Sequence, residues 1–226
     1  MLVLSEKVLI EKLRQSVIDC DEEAAKKVAG EILKAGVDPV KAIEEGISSA
    51  AKIVGEKFET GEFFLPHLML AGEAMKSASN VLRSGISEKK REELESKRAG
   101  TVVLATVSGD IHDIGKNILA LLLAVNGFKV YDLGKDVDSM KIVEKATEVK
   151  PDMIGLSALM TTTMPAQREV IDLLKAMGVR NEFIVMVGGG STNREWAEEI
   201  EADGWAETAE EAVRLAQRLI EKKRRQ

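Results

Sequence analysis

The 226-residue sequence predicts an α/β protein, with four helices over residues 1–85 and a parallel sheet with its connecting helices over residues 100–226. Three observations predict it. The first 85 residues repeat their apolar positions at the helical period and contain no strand-like run. From Thr101 onward, short β-rich runs alternate with helical stretches, which predicts parallel strands covered on both faces. Between the two stands SEKKREELESKRAG, a charged and apolar-poor run that reads as a linker over 86–99.

The first helix is carried by Val8, Leu9, Leu13, Val17 and Ile18, and a second, after Asp21, by Val28, Ile32 and Leu33. Asp38-Pro39 opens the third, with a capping side chain followed by proline at the first helical position. It runs through Ile43, Ile47, Ile53, Val54 and Phe58 to a break at Thr60-Gly61. The fourth begins at Phe64-Leu65-Pro66 and continues through Leu70, Met75 and Val81, with Met69 and Met75 expected in the core and His67 at the surface or in a bundle contact. Short connections between such helices predict an antiparallel bundle. The strands are expected at Thr101–Val107, Gly127–Leu133, Met153–Ala158 and Phe183–Val187, with a weaker fifth at Asp203–Ala206. Thr192 with Glu195, and Thr208 with Glu211, have the spacing of capping boxes opening two of the later helices.

Composition excludes several function classes. Thirty-two Lys and Arg stand against 38 Asp and Glu, and a net charge of −6 argues against a nucleic-acid partner bound by phosphate neutralisation. The basic run Lys222-Lys223-Arg224-Arg225 reads as a solvated helix end that complements the helix dipole. Aromatics at 4% are too few for base-stacking platforms. The N-terminus has no secretory pattern, and no apolar stretch approaches the ~18 residues of a membrane span. A single cysteine, Cys20, rules out an internal disulfide framework and fits a reducing cytoplasm.

In parallel α/β sheets, ligands sit beyond the carboxyl ends of the strands. The first such loop, Val107-Ser-Gly-Asp-Ile-His-Asp-Ile-Gly-Lys116, packs Asp110, His112 and Asp113 into four residues. A phosphate loop needs four residues between its glycines and Ser or Thr after its lysine; here five residues separate Gly109 from Gly115, and Asn117 follows Lys116. A surface histidine beside a helix-capping Asp110 is the bland reading, and the crowding of carboxylates and glycines at a ligand position weighs against it. The third reading is a metal ligand with its orienting carboxylate, because a ligating imidazole usually gives its other ring proton to a carboxylate. Zinc needs about three protein ligands, and neither His67 nor Cys20 completes such a set. One axial ligand suits a metal already held by a macrocycle.

Asp110-Ile-His112-Asp-Ile-Gly115 is similar to the Asp-x-His-x-x-Gly motif of base-off, histidine-on cobalamin proteins. Almost the full chain resembles the corrinoid proteins of methyltransferase systems and the cobalamin-binding region of methionine synthase. The resemblance implies a helical cap over residues 1–85, a linker over 86–99 and a Rossmann-like (flavodoxin-like) cobalamin-binding domain over 100–226. It implies His112 as the cobalt ligand, with Asp110 and Thr163 completing a hydrogen-bonded triad; serine is common in the family where this chain has Thr163. Gly109, Ile111, Asp113 and Gly115 fall within the same cofactor-binding loop. Ser157 and Leu159 match a Ser-x-Leu element that lines the slot for the corrinoid's nucleotide tail, and Thr161 matches a further position near the cofactor. Gly188 and Gly189 match a Gly-Gly element, with Ala209 in a loop near the fifth strand. In the helical half, Phe58, Leu65 and Leu68 match apolar cap positions and Glu44 a polar one, where ordinary core packing is the competing explanation.

The implied function is a methyl carrier. Cobalt would accept a methyl group from a substrate:corrinoid methyltransferase and pass it to a second methyltransferase whose acceptor is a thiol or tetrahydrofolate, with a reductive activase as a further partner. The linker would serve as a hinge. A cobalamin-dependent sensor or repressor shares both halves but needs a DNA-binding module, and a mutase subunit lacks the helical cap. The donor, whether methanol, a methylamine, a methyl thiol or an aryl methyl ether, is a property of the partner.

Overall fold

The computed structural model describes residues 2–86 and 98–225, with side chains from Glu6 onward; the linker expected over 86–99 lies outside the described residues except at its ends. The described residues form two compact units, a helical one and an α/β one beginning at Ala99.

The helical unit holds α1 (Leu2–Ile18), α2 (Glu22–Lys34), α3 (Pro39–Lys41), a π-helical turn (Ala42–Ser48) running straight into α4 (Ser49–Glu59), and α5 (Leu65–Arg83). Asp21 caps α2 by accepting from the Ala24 amide, and Asp38 caps α3 by accepting from the Val40 amide, with Pro39 at the first position. The core consists of Ile10, Leu13 and Val17 on α1, Ala25, Ala29 and Ile32 on α2, and Leu68, Ala71, Met75, Ala78 and Leu82 on α5. Alanines on the facing stripes of α2 and α5 let these two helices pack closely.

One expectation fails here, that of Met69 in the core, and two residues that mark the helical period lie on the outer face. Val8, Met69 and Leu70 are exposed, Met69 at 54%. The buried stripe of α1 runs through Ile10, Leu13 and Val17, and that of α5 through Leu68, Ala71 and Met75. One residue is about 100° of helix, which turns Met69 away from the face that Leu68 buries.

The α/β unit is a five-stranded, all-parallel sheet in the order β2-β1-β3-β4-β5. Its strands are β1 (Gly100–Thr106), β2 (Phe128–Asp132), β3 (Met153–Ser157), β4 (Ile184–Gly188) and β5 (Gly204–Trp205). They are linked by α6 (Ile114–Val125), α7 (Ser139–Val149), α8 (Met164–Ala176) and α9 (Arg194–Glu199), and α10 (Ala209–Arg224) follows β5. β1, β3 and β4 are buried almost throughout, as strands covered on both faces must be. The chain runs one way across the sheet from β1 to β2 and the other way from β2 through β3 to β5. The loops after β1 and β3 therefore diverge, and the crevice between them is the topological switch point. Register aligns the strand ends there: Thr106 pairs with Ser157, and Ser157 with Gly188.

Thr208 caps α10, accepting from the Glu211 amide as expected. Thr192 does not cap α9. Asn193 does, accepting from the Trp196 amide at 2.7 Å, while the buried Thr192 hydroxyl donates to the Gly189 carbonyl and accepts from the Trp205 indole. The next side chain along has the stronger capping group, and Thr192 instead ties the loop after β4 to β5.

Candidate functional site

The loop leaving β1 turns at Gly109, whose φ of +80° suits a residue without a Cβ. Asp110 follows and is completely buried. Its Oδ1 accepts from the His112 amide at 3.0 Å and faces His112 Nδ1 at 2.8 Å. Its Oδ2 accepts from the Leu159 amide at 2.7 Å, from the Met160 amide at 3.4 Å and from the Thr163 hydroxyl at 2.7 Å. One carboxylate thus joins the loop after β1 to the loop after β3, across the switch point. Burial on its own raises a carboxyl pKa, but the donors from Thr163, His112 and Leu159 outweigh it and hold Asp110 well below the usual carboxylate range.

Asp110, His112 and Thr163 are therefore brought together as one hydrogen-bonded chain. Thr163 occupies the N-cap position of α8 yet makes no side-chain cap bond, because its hydroxyl is directed at Asp110. The His112 side chain is 46% exposed, and with Nδ1 at Asp110 its other nitrogen, Nε2, is the one available to a metal. Ile111, Leu159 and Met160 on the same two loops, and Ile114 at the start of α6, are exposed apolar side chains, Ile111 at 62% and Ile114 at 72%. Asp113 accepts the Asn117 amide through its carbonyl at the start of α6, and Gly115 lies in the first turn of that helix.

Ser157 ends β3 half-buried, and its carbonyl accepts from the Val107 amide. Thr161 is exposed in the following turn. Gly188 ends β4, and its carbonyl accepts from the Ala158 amide. Gly189 has φ +112°, and a Cβ there would lie 2.1 Å from the Ala158 carbonyl oxygen, so only glycine fits. Ala209 is the half-buried first residue of α10. The remaining candidates belong to the helical unit: Phe58 and Leu65 half-buried, Leu68 fully buried, and Glu44 exposed on the π-helical turn.

Models of B12 binding domains match residues 9–83 and residues 100–214. A corrinoid protein of Desulfitobacterium hafniense is 44% identical over 95% of this chain and 98% of its own length. Trimethylamine corrinoid protein 1 of Methanosarcina acetivorans is 46% identical over 92% of this chain and 95% of its own. The solved methanol:cobalamin methyltransferase complex from Methanosarcina barkeri aligns over 94% of this chain and 79% of the matched chain, at 31% identity and a TM-score of 0.85. The chain belongs to the B12-binding corrinoid proteins.

The cofactor of this corrinoid protein is a cobalamin-type corrinoid, and the donor set fits it. Among the described residues no three His, Cys, Asp or Glu side chains group to hold a metal ion. A lone imidazole with a buried carboxylate behind it suits a cobalt whose other positions are filled by a macrocycle. The exposed isoleucines, Leu159 and Met160 suit an apolar ring. No helix is long and apolar enough to cross a membrane among the described residues.

Two polar residues behind these loops are not among the sequence candidates. Gln167 is fully buried; its Nε2 donates to the carbonyls of Leu156 and Gly188, and its Oε1 accepts from the Trp196 indole, so it ties the ends of β3 and β4 together. The signal was there, since Gln167 stands on the apolar stripe of Val170, Ile171 and Leu174. Asp136, in the loop after β2, accepts from the Gly109 amide at 2.8 Å and has no comparable signal, its partner being 27 positions away.

Proposed function

We propose that this corrinoid protein is a methyl carrier, loaded by a substrate:corrinoid methyltransferase and unloaded by a second methyltransferase onto a thiol or tetrahydrofolate. The trimethylamine corrinoid protein among its relatives and the methanol:cobalamin methyltransferase complex support the first partner. A reductive activase and a cytoplasmic setting complete the proposal. The bound corrinoid supplies a cobalt able to take up and release a methyl group. The chain's task is to hold and shield it.

The observation that carries this reading is the pairing of His112 Nδ1 with the buried Asp110 carboxylate at 2.8 Å. Because Asp110 stays ionised, the imidazole proton is held on Nδ1, and the Nε2 lone pair is presented as the ligand. Thr163 holds the other carboxylate oxygen and so fixes the plane of the ring's partner. Ser157, Leu159, Gly188, Gly189 and Ala209 are assigned to the nucleotide tail, and Thr161, Gly109, Ile111, Asp113 and Gly115 to further contacts with the cofactor. In the helical unit, Phe58 and Leu65 are assigned to shielding, with Glu44 as a polar contact. Leu68, expected as a further apolar contact, is fully buried and is left to packing.

Reconstitution with hydroxocobalamin tests the reading. The wild-type chain is expected to give a stoichiometric complex with the spectrum of histidine-ligated cobalt. His112→Ala should retain weaker binding and lose that spectrum. An unchanged spectrum in His112→Ala, or no stoichiometric complex with the wild type, overturns the assignment. Addition of a methyltransferase with trimethylamine or methanol then reads out methyl loading.

A further inference from the structure

The segment that carries His112 is gripped from outside by the loop after β2. Asp136 donates its backbone N–H to the Asp110 carbonyl at 2.9 Å, while its Oδ1 accepts from the Gly109 amide at 2.8 Å. Two hydrogen bonds from one residue therefore clamp the Gly109-Asp110 dipeptide, the point from which the triad is built. The clamp is itself anchored. Leu133 N donates to the Leu104 carbonyl, Gly134 O accepts from the Thr106 amide, and Val137 N donates to the Thr106 carbonyl.

Asp136 adopts φ +53°, a left-handed conformation that glycine takes most readily and that Asp, with a short side chain able to hydrogen-bond locally, also adopts. Glycine would serve the turn equally well but would lack the carboxylate that meets the Gly109 amide. The far end of the His112 segment is held from the end of β2, where that loop begins. Lys116, buried in the first turn of α6, donates to both Asp132 carboxylate oxygens at 2.5 Å, and Asp132 Oδ1 accepts from the Gly134 amide. A cation in the first turn of a helix opposes the helix dipole, and this pairing offsets that cost.

We propose that Asp136 is a positioning residue for the cobalt ligand, its carboxylate fixing the Gly109-Asp110 peptide so that Asp110 meets His112 Nδ1 in the ligating orientation. This inference rests on the corrinoid-carrier reading and adds to it a residue outside the Asp-x-His-x-x-Gly segment. Partners one layer behind a metal ligand typically change affinity about 10- to 100-fold, and Asp136 lies one layer further back, so the lower end applies.

Three variants separate positioning from folding. Asp136→Gly removes the carboxylate but relaxes the left-handed backbone; Asp136→Asn keeps an acceptor oxygen and tolerates that backbone; Asp136→Ala loses both. Each is reconstituted with hydroxocobalamin, and nitrogen splitting from the histidine is read by electron paramagnetic resonance of the cobalt(II) form. Apo stability is followed by tryptophan fluorescence and Gly109 amide exchange by NMR. Asp136→Gly should keep or raise the apo melting temperature, lose protection at Gly109, bind the corrinoid about ten-fold more weakly and show a reduced histidine-ligated fraction. Asp136→Asn should restore affinity and ligation. Wild-type affinity and full histidine ligation in Asp136→Gly would overturn the proposal while leaving the carrier reading intact. A wild-type chain that gives no histidine-ligated complex would instead remove the carrier reading, and this inference with it.

Discussion

The loop after β1 and the segment 58–68 of the helical unit are both assigned to the cofactor, and they carry that assignment in different physical languages. In the loop, a fully buried carboxylate meets five donors from His112, Leu159, Met160 and Thr163. A buried charge is tolerated only when its partners are in place, so every atom there constrains the others. In segment 58–68, Phe58 and Leu65 are half-buried apolar side chains beside the buried Leu68. Apolar burial is non-directional, and the same residues would serve a bundle with no ligand. Polar geometry identifies a site from within; an apolar surface needs its occupant to be identified.

The sharpest way to break that contrast is to remove the charge. Asp110→Ala leaves buried donors unsatisfied and should destabilise the α/β unit by on the order of 5 kcal/mol. Trp196 and Trp205, the only tryptophans, both lie in that unit, so the fluorescence-detected urea midpoint reports on it selectively. Asp110→Asn adds a pH test. The folded carboxyl is depressed below its ordinary value of 3.8, so its stabilisation is complete above that pH and is lost as pH falls towards the depressed value. Wild-type stability should drop below about pH 4 by up to about 1.4 kcal/mol per pH unit more steeply than that of Asp110→Asn. Parallel curves would mean that Asp110 is not held ionised by its donors.

The helical side of the comparison predicts smaller losses that differ from one another. Leu68→Ala should cost about 3 kcal/mol, the range for emptying a closed apolar site, and Phe58→Ala about 1 kcal/mol because its ring is only partly removed from water. Far-ultraviolet circular dichroism in urea, set beside the tryptophan signal, separates the two units. If Phe58→Ala proved as damaging as Leu68→Ala, Phe58 would be core, and its assignment to shielding would lose its basis.

Legibility in the sequence follows the same division. Strand and helix alternation after Thr101 gave the sheet because buried parallel strands are runs of Val, Ile and Leu, and the His112 loop was readable because its ligating types sit within a few residues. Asp136 was not, since its partnership with Gly109 exists only once β1 and β2 are paired. Gln167 is legible as a polar intruder on an apolar stripe, although its partners at the ends of β3 and β4 are not. Met69 failed because adjacent apolar residues on a helix do not declare which of them faces inward.

The smallest predicted effect tests the departure at position 163. The Thr163 hydroxyl donates to Asp110 at 2.7 Å from a buried side chain, and its methyl group lies where a Cβ on Gly109 would be 3.6 Å away. Thr163→Ser keeps the hydroxyl and removes one methyl, so stability should change by less than about 1 kcal/mol, with corrinoid binding preserved. Thr163→Val is nearly the same shape and loses only the donor, and should cost about 1 to 2 kcal/mol because a charged acceptor loses a partner. Serine equivalent to wild type with valine impaired would locate the role of Thr163 in its hydroxyl. Valine equivalent to serine would reduce Thr163 to a packing residue and leave the Asp110–His112 pair to orient the imidazole without it.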